Sequence, residues 1–234
     1  MIQMKKTVNQ ALLASLPVVT GYLPIAFAFG MAGAVSGLPV AMVVAMSAFI
    51  FAGGSQFVLL AAMHAGTAWY LVLGLCAMMD VRHMLYGAVM VRQLPAGLRR
   101  QLLAASTLTD EVFATALVRM PEIAMVYRSS WLSWLGIFSY LAWVVGTVLG
   151  AVTGIQLSNA FPLLADAMPF ALPALFVVLV QESFSPQYRL PVIVSVVVAG
   201  VLYLHGLTAL ALIAGALCGC CAVFVKGKLN DYAI

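Results

Sequence analysis

Five ionisable side chains stand inside stretches that are otherwise apolar: Asp80, Arg82 and His83 in "MMDVRHMLYG", and Asp110 and Glu111 in "STLTDEVFATAL". Carboxylates, a guanidinium and an imidazole can pair, hold an ionic ligand or carry protons. Each costs about 2.5 to 3.5 kcal/mol when ionised at mid-membrane, so Asp80, Arg82, Asp110 and Glu111 left unpaired would cost about 10 kcal/mol together. They must pair or lie near water. On a helix Asp80 and His83 are three apart and share a face, whereas Arg82 projects from another side and needs a partner elsewhere. The expectation is that Arg82 pairs with Asp110 or Glu111, leaving another carboxylate free to titrate, with Thr109 completing a Thr-Asp-Glu element. The alternative is that the segment ends near residue 81 and that Arg82 and His83 snorkel to the interface.

A second group is Gly53-Gly54-Ser55-Gln56, in the middle of "AFIFAGGSQFVLLAA". Two glycines weaken a helix and Ser55 is a good N-cap, so a half-helix starting here would aim free N–H groups and a positive dipole end into the bundle. Such an end suits a carboxylate. Alternatively, Gly54 only lets two helices approach. Pro17 and Pro24 would kink the first segment, and Pro169 and Pro173 in "MPFALPALF" would break a later one. The candidate ligand-binding set is Gly53, Gly54, Ser55, Gln56 and Pro24.

The elements that must position these groups are membrane helices. Of 234 residues 65% are hydrophobic and 8% charged, where a soluble domain carries about a quarter charged residues. From Thr7 to Met79, 73 residues contain no Asp, Glu, Lys or Arg, enough to cross a hydrocarbon core of roughly 30 Å about three times. Continuous apolar runs rather than period-two alternation exclude a β-barrel. Lys5 and Lys6 before an apolar run, with Ala26-Phe27-Ala28 beyond, resemble a secretory signal, but further membrane segments follow rather than a soluble domain. The net charge of +4 sits at loop ends rather than in a cluster, which fits orientation and not nucleic-acid binding.

Segments are predicted at 11–31, 40–62, 69–90, 101–119, 131–152, 162–181, 190–204 and 206–225. The fold class is therefore all-α: a polytopic transmembrane bundle of seven to eight segments, some broken or re-entrant, forming a single domain over 1–234. With eight crossings the ten basic residues other than Arg82 divide seven inside to three outside. With a fourth segment that dips without crossing, they divide eight to two, and the positive-inside rule does not separate these. "GYLPIAFAFGMAGAVSGL" and "YLAWVVGTVLGAVTGIQL" suggest a weak internal duplication of the kind found in secondary transporters. Gly146, Gly150 and Gly154, and again Gly215 and Gly219, form small-residue stripes that mark helix contacts. Cys76, Cys218, Cys220 and Cys221 lack metal-ligand spacing, His64 and His205 stand alone, and no cofactor or metal is expected.

"GYLPIAFAFG", "MSAFIFAGGSQFVLLAA", "MDVRHMLYG", "LTDEVFATAL" and "MPFALPALFVVLV", in that order, resemble the AzlC/YgaZ family, the large subunit of branched-chain amino acid exporters. The likeness covers about residues 11–225, and many members carry Asn in place of Asp80. It implies a multi-pass protein of the bacterial cytoplasmic membrane that exports valine, leucine and isoleucine, with methionine as a further candidate. It also implies a small AzlD/YgaH-type membrane subunit as partner, beside the amino acid substrate and the lipid bilayer. No G-x-x-x-x-G-K-[ST] loop supports ATP use, so proton antiport is the expected coupling. The rivals are an intramembrane enzyme built on Asp80, His83 and Glu111, for which no H-E-x-x-H or G-x-S-x-G motif is present, and a structural subunit with no pathway of its own.

Overall fold

The computed structural model describes residues 2–64, 66–167, 170, 177 and 189–231. Ten helices and one 3-10 turn are assigned among them: α1 Ile2–Val35, α2 Val40–Ile50, α3 Gly53–His64, α4 Trp69–Val91, α5 Leu98–Ala105, α6 Asp110–Arg119, the turn Met120–Glu122, α7 Met125–Ala160, α8 Pro162–Ala167, α9 Arg189–Leu204 and α10 Thr208–Asp231. No strand occurs among the described residues. Met4–Val35, α4 and α7 are each long and apolar enough to cross a membrane, and at about 1.5 Å per residue the 36 residues of α7 reach well beyond a core of roughly 30 Å. This is a multi-pass helical membrane protein.

Two compact units are present, Met1–Leu172 and Pro173–Ile234. The first is built on α1 and α7, which pack along their length because glycines leave gaps in the face that α7 shows α1. A Cβ on Gly150 would collide with the Phe27 carbonyl oxygen, one on Gly146 would lie 2.8 Å from the Ala26 Cβ, and one on Gly154 2.8 Å from the Met31 Cα. Gly30 answers from α1, its Cβ position falling on the Thr147 carbonyl. Around this pair lie two apolar clusters. One gathers Val18, Tyr22, Val112, Ala116, Trp131, Leu132 and Leu135. The other gathers Phe29, Val43, Met46, Phe57 and Leu60. In the second unit α9 and α10 meet through the other stripe, with Gly215 against Ala199 and Gly219 against Ser195, and the Ser195 hydroxyl donates to the Gly215 carbonyl at 2.8 Å.

Several boundaries differ from the sequence reading. The first and fifth segments run longer than 11–31 and 131–152 at both ends, since their flanks pack on each other, and α1 stays one helix through Pro17 and Pro24. The fourth, expected as one helix over 101–119, is two short helices separated by Ser106–Thr109. Hydroxyl side chains there offer the backbone an alternative to the helix, and Thr109 takes it: extended at φ −121°, it accepts from the Val112 N–H and caps α6. Of 162–181, α8 covers the first turns, while Pro169 and Pro173 lie outside the described residues.

Candidate functional site

The second membrane segment is broken, at Phe51–Ala52, two residues before the glycines. Phe51 is left-handed at φ 44°, ψ 41°, a conformation that costs a residue with a Cβ about 1–2 kcal/mol. Aromatic packing holds it there: its ring meets Tyr22 and Tyr140 edge to face, with centroids 6.4 and 5.0 Å away. The Tyr140 hydroxyl also donates to the Ala48 carbonyl at 2.9 Å, one of the acceptors freed where α2 ends. Gly53 opens α3 because the Trp143 indole lies against it, only 2.7 Å from where a Cβ would stand. The first-turn N–H groups of Gly53, Gly54 and Ser55 have no acceptor within α3.

Beneath the break a hydrogen-bonded circuit ties three helices together. The indole N–H of Trp143 donates to Gln56 Oε1 at 3.0 Å, and Gln56 Nε2 donates to Ser47 Oγ at 2.9 Å. Ser47 and Thr147 hydroxyls are 2.7 Å apart, and Thr147 donates to the Trp143 carbonyl at 2.9 Å. Thr147 has spent its one hydrogen, so Ser47 must donate to it. The directions are then fixed all round, from Trp143 through Gln56, Ser47 and Thr147 back to Trp143. Gln56, Ser47 and Thr147 are fully buried, so each link lies in low dielectric, where hydrogen bonds strengthen one another.

Next to the break, α4 and α6 bring the charges together. The Ser55 hydroxyl, in the first turn of α3, donates to Asp80 Oδ1 at 2.7 Å. His83 stands one turn on, its Nδ1 3.1 Å from the Asp80 carbonyl and 3.8 Å from the carboxylate. Arg82 leaves α4 on another side and pairs with Asp110 Oδ2 at 2.9 Å, the two side chains 38% and 24% exposed. Tyr86, one turn after Arg82, donates to the other Asp110 oxygen at 2.5 Å and stacks on Phe113 at 4.3 Å. Glu111 points elsewhere: its Oε2 is 2.6 Å from the hydroxyl of the buried Tyr22, which is also 2.6 Å from Thr109 Oγ1. Among the described residues, no three of His, Cys, Asp and Glu gather as a metal site.

Of the residues singled out in the sequence, Gly53, Gly54, Ser55 and Asp80 therefore meet at the start of α3, with His83 beside them. Arg82 and Asp110 form a pair, and Glu111 and Thr109 share Tyr22. Gln56 is enclosed in the circuit, and Pro24 lies on an exposed part of α1 away from these contacts. Sequence reasoning passed over Tyr22, Ser47, Tyr86, Tyr140, Trp143 and Thr147. A signal existed for two of these: Trp143 and Thr147 share the helical face of Gly146, Gly150 and Gly154, the face marked as a contact.

The AzlC protein family matches residues 17–157, more than half of the chain. "Inner membrane protein YgaZ" of Escherichia coli (strain K12) is 35% identical over 91% of the chain and 87% of its own length. An uncharacterised membrane protein of Archaeoglobus fulgidus is 30% identical over 90% of the chain and 91% of its own length. "Branched-chain amino acid transport protein AzlC" of Bacillus subtilis (strain 168) is 25% identical over 75% of the chain and 67% of its own length. No solved structure matches significantly.

Proposed function

This chain belongs to the AzlC family, and from that premise we propose that it exports branched-chain amino acids across the bacterial cytoplasmic membrane. Valine, leucine and isoleucine are the substrates, with methionine a further candidate, and the driving reaction is proton antiport. The chain works as one transport domain over residues 1–234 with seven or eight crossings, beside a small AzlD/YgaH-type subunit. Transport rather than enzymatic chemistry is also what the name of the Bacillus subtilis relative describes.

The observation that carries this reading is the 2.7 Å contact between Ser55 and Asp80, which sets a carboxylate against the open end of a half-helix. An α-amino acid needs donors for its carboxylate and an acceptor for its ammonium a single carbon apart. The N–H groups of Gly53 and Gly54, at the positive end of α3, supply the donors. Asp80 supplies the acceptor. Discontinuous helices meeting a charged side chain near mid-membrane are a recurring transporter device. Arg82, Asp110, His83, Thr109 and Glu111 then serve as the charge relay around that site.

The test is efflux of labelled valine from preloaded vesicles that hold the chain alone or with the small subunit. Saturable efflux that quickens when the outside is acidified is expected. In Asp80→Ala the half-saturating valine concentration should rise at least about tenfold, equivalent to about 1.4 kcal/mol of lost binding. Absence of efflux from wild type with its partner would overturn the reading.

A further inference from the structure

We propose that Glu111 is the group that binds and releases the transported proton, and that the Tyr22 hydroxyl passes its state to the break between α2 and α3. This rests on the antiport reading above and assigns a carboxylate to it.

The three carboxylates of the cluster differ in what a proton would undo. On Asp110 it would neutralise the carboxylate that the Arg82 guanidinium pairs with and leave that cation without its counter-charge. On Asp80 it would cancel the charge that faces the His83 imidazole, whose Nδ1 is 3.8 Å from Oδ1. Glu111 makes no ion pair among the described residues, and its hydrogen-bond partner is a neutral phenol at 2.6 Å. A phenol both donates and accepts, so a proton arriving on Glu111 leaves no cation without its partner.

It does reverse a chain of hydrogen bonds. Thr109 Oγ1, Tyr22 Oη and Glu111 Oε2 stand in line with two 2.6 Å contacts, and the single phenolic hydrogen can occupy one of them. With Glu111 ionised, Tyr22 gives its hydrogen to the carboxylate rather than to Thr109. With Oε2 protonated, the acid donates to Tyr22, and Tyr22 donates to Thr109. Thr109 Oγ1 can accept that hydrogen while still capping α6 at Val112, 3.4 Å away, because a hydroxyl has two lone pairs. The link from Tyr22 to Glu111 also changes from charge-assisted to neutral, roughly halving its strength.

Tyr22 is placed to transmit this. Its buried ring meets Phe51, the left-handed residue of the break, and Trp143 of the circuit, at 6.4 and 5.3 Å. The surrounding titratable groups are Asp110 beside Glu111, with Tyr86 and Arg82 on α4, both engaged with Asp110. On α7 Arg128 bonds the Ile123 and Gln93 carbonyls, Tyr140 bonds Ala48, and Tyr127 packs in the core. The step itself is a proton transfer: hydronium from one side gives its proton to the carboxylate, leaving water and a neutral acid, and water on the other side takes it back.

The experiment uses vesicles of the chain with its small subunit, recording labelled-valine exchange against pH together with proton movement on valine efflux. In Glu111→Gln, exchange should lose its pH dependence and efflux should move no protons, and Glu111→Asp should restore both. Tyr22→Phe should displace the midpoint of the pH profile. A wild-type profile with normal proton movement in Glu111→Gln overturns the proposal. Where Glu111→Gln gives no exchange, the decision falls to Tyr22→Phe, and a profile superimposed on wild type overturns it. Wild type whose net valine efflux moves no protons refutes antiport itself, and this is seen before any substitution is made.

Discussion

Replacing Trp143 with Phe keeps a ring against Gly53 and Tyr22 but deletes the indole N–H that donates to Gln56 Oε1 at 3.0 Å. In membrane helices such a side-chain bond is worth about 0.6 kcal/mol on average and at most about 1.7. Here the acceptor left behind is fully buried, and orphaning it costs about 1–3 kcal/mol. A loss of about 1–2 kcal/mol is expected for Trp143→Phe. A similar loss is expected for Thr147→Val, which strands the Ser47 hydrogen and cuts the return to the Trp143 carbonyl. The two substitutions share no side-chain bond. If the four links were independent, the double variant would lose the sum, within about 0.3–0.5 kcal/mol. In a closed circuit the first cut already removes the mutual polarisation, so the double variant should fall short of the sum by about 0.5–1 kcal/mol. Equilibrium unfolding of the purified protein in mixed micelles measures all four corners of this cycle. Additive losses would refute the cooperative circuit, and a Trp143→Phe loss near zero would refute the bond.

Other expectations can be measured on the same preparation. Gly150→Ala should cost several kcal/mol, because its Cβ would overlap the Phe27 carbonyl, whereas Gly74→Ala, with nothing within 4 Å, should be neutral or stabilising by up to about 1 kcal/mol; thermal unfolding compares them. Asp110→Asn should cost about 1–3 kcal/mol, below the range for fully buried pairs because both groups keep some exposure. The exchange Arg82→Asp with Asp110→Arg should recover part of that loss, and no recovery relative to either single reversal would count against the pair. Tyr140→Phe frees the Ala48 carbonyl and should cost about 1 kcal/mol, while an unchanged midpoint would show that α2 ends without that cap.

What was legible in the sequence had a strong energetic cause. Charges cannot stand alone in hydrocarbon, so a partner for Arg82 could be demanded from composition, and the Thr-Asp-Glu element was the place to find it. The glycines at 53 and 54 weaken a helix wherever they occur, so the break was visible within two residues. Its position at Phe51 was not, because two tyrosines far away in sequence hold that residue left-handed against its own preference. The gap at Ser106–Thr109 carried a local signal, a hydroxyl followed by two acids, which is how a helix starts; the apolar run around it masked the stop. Tyr22, Tyr86 and Ser47 had no such signal. A hydroxyl in a membrane helix reads the same whether it faces lipid or a carboxylate, and only tertiary packing tells the two apart.

The seam between α1 and α7 has a mechanical consequence. Where a carbonyl oxygen of one helix fills the space a Cβ would need on the other, no compliant side-chain layer lies between the backbones, and packed contacts of this kind shift between discrete arrangements rather than stretch. Sliding one helix past the other by a fraction of a turn would drive carbonyls into α-carbons at Gly30 and Gly150, and Ala26 and Met31 into those of Gly146 and Gly154. The pair is thus a fixed strut. Only 6% of the apolar window of α4 is buried, against 50% for that of α7, so of the three long described spans the one that carries Asp80 and Arg82 has least interlocking to undo. Of the two sides of the Ser55–Asp80 contact, α3 is anchored by buried residues through its first two turns, and α4 is the side with less packing to hold it in place.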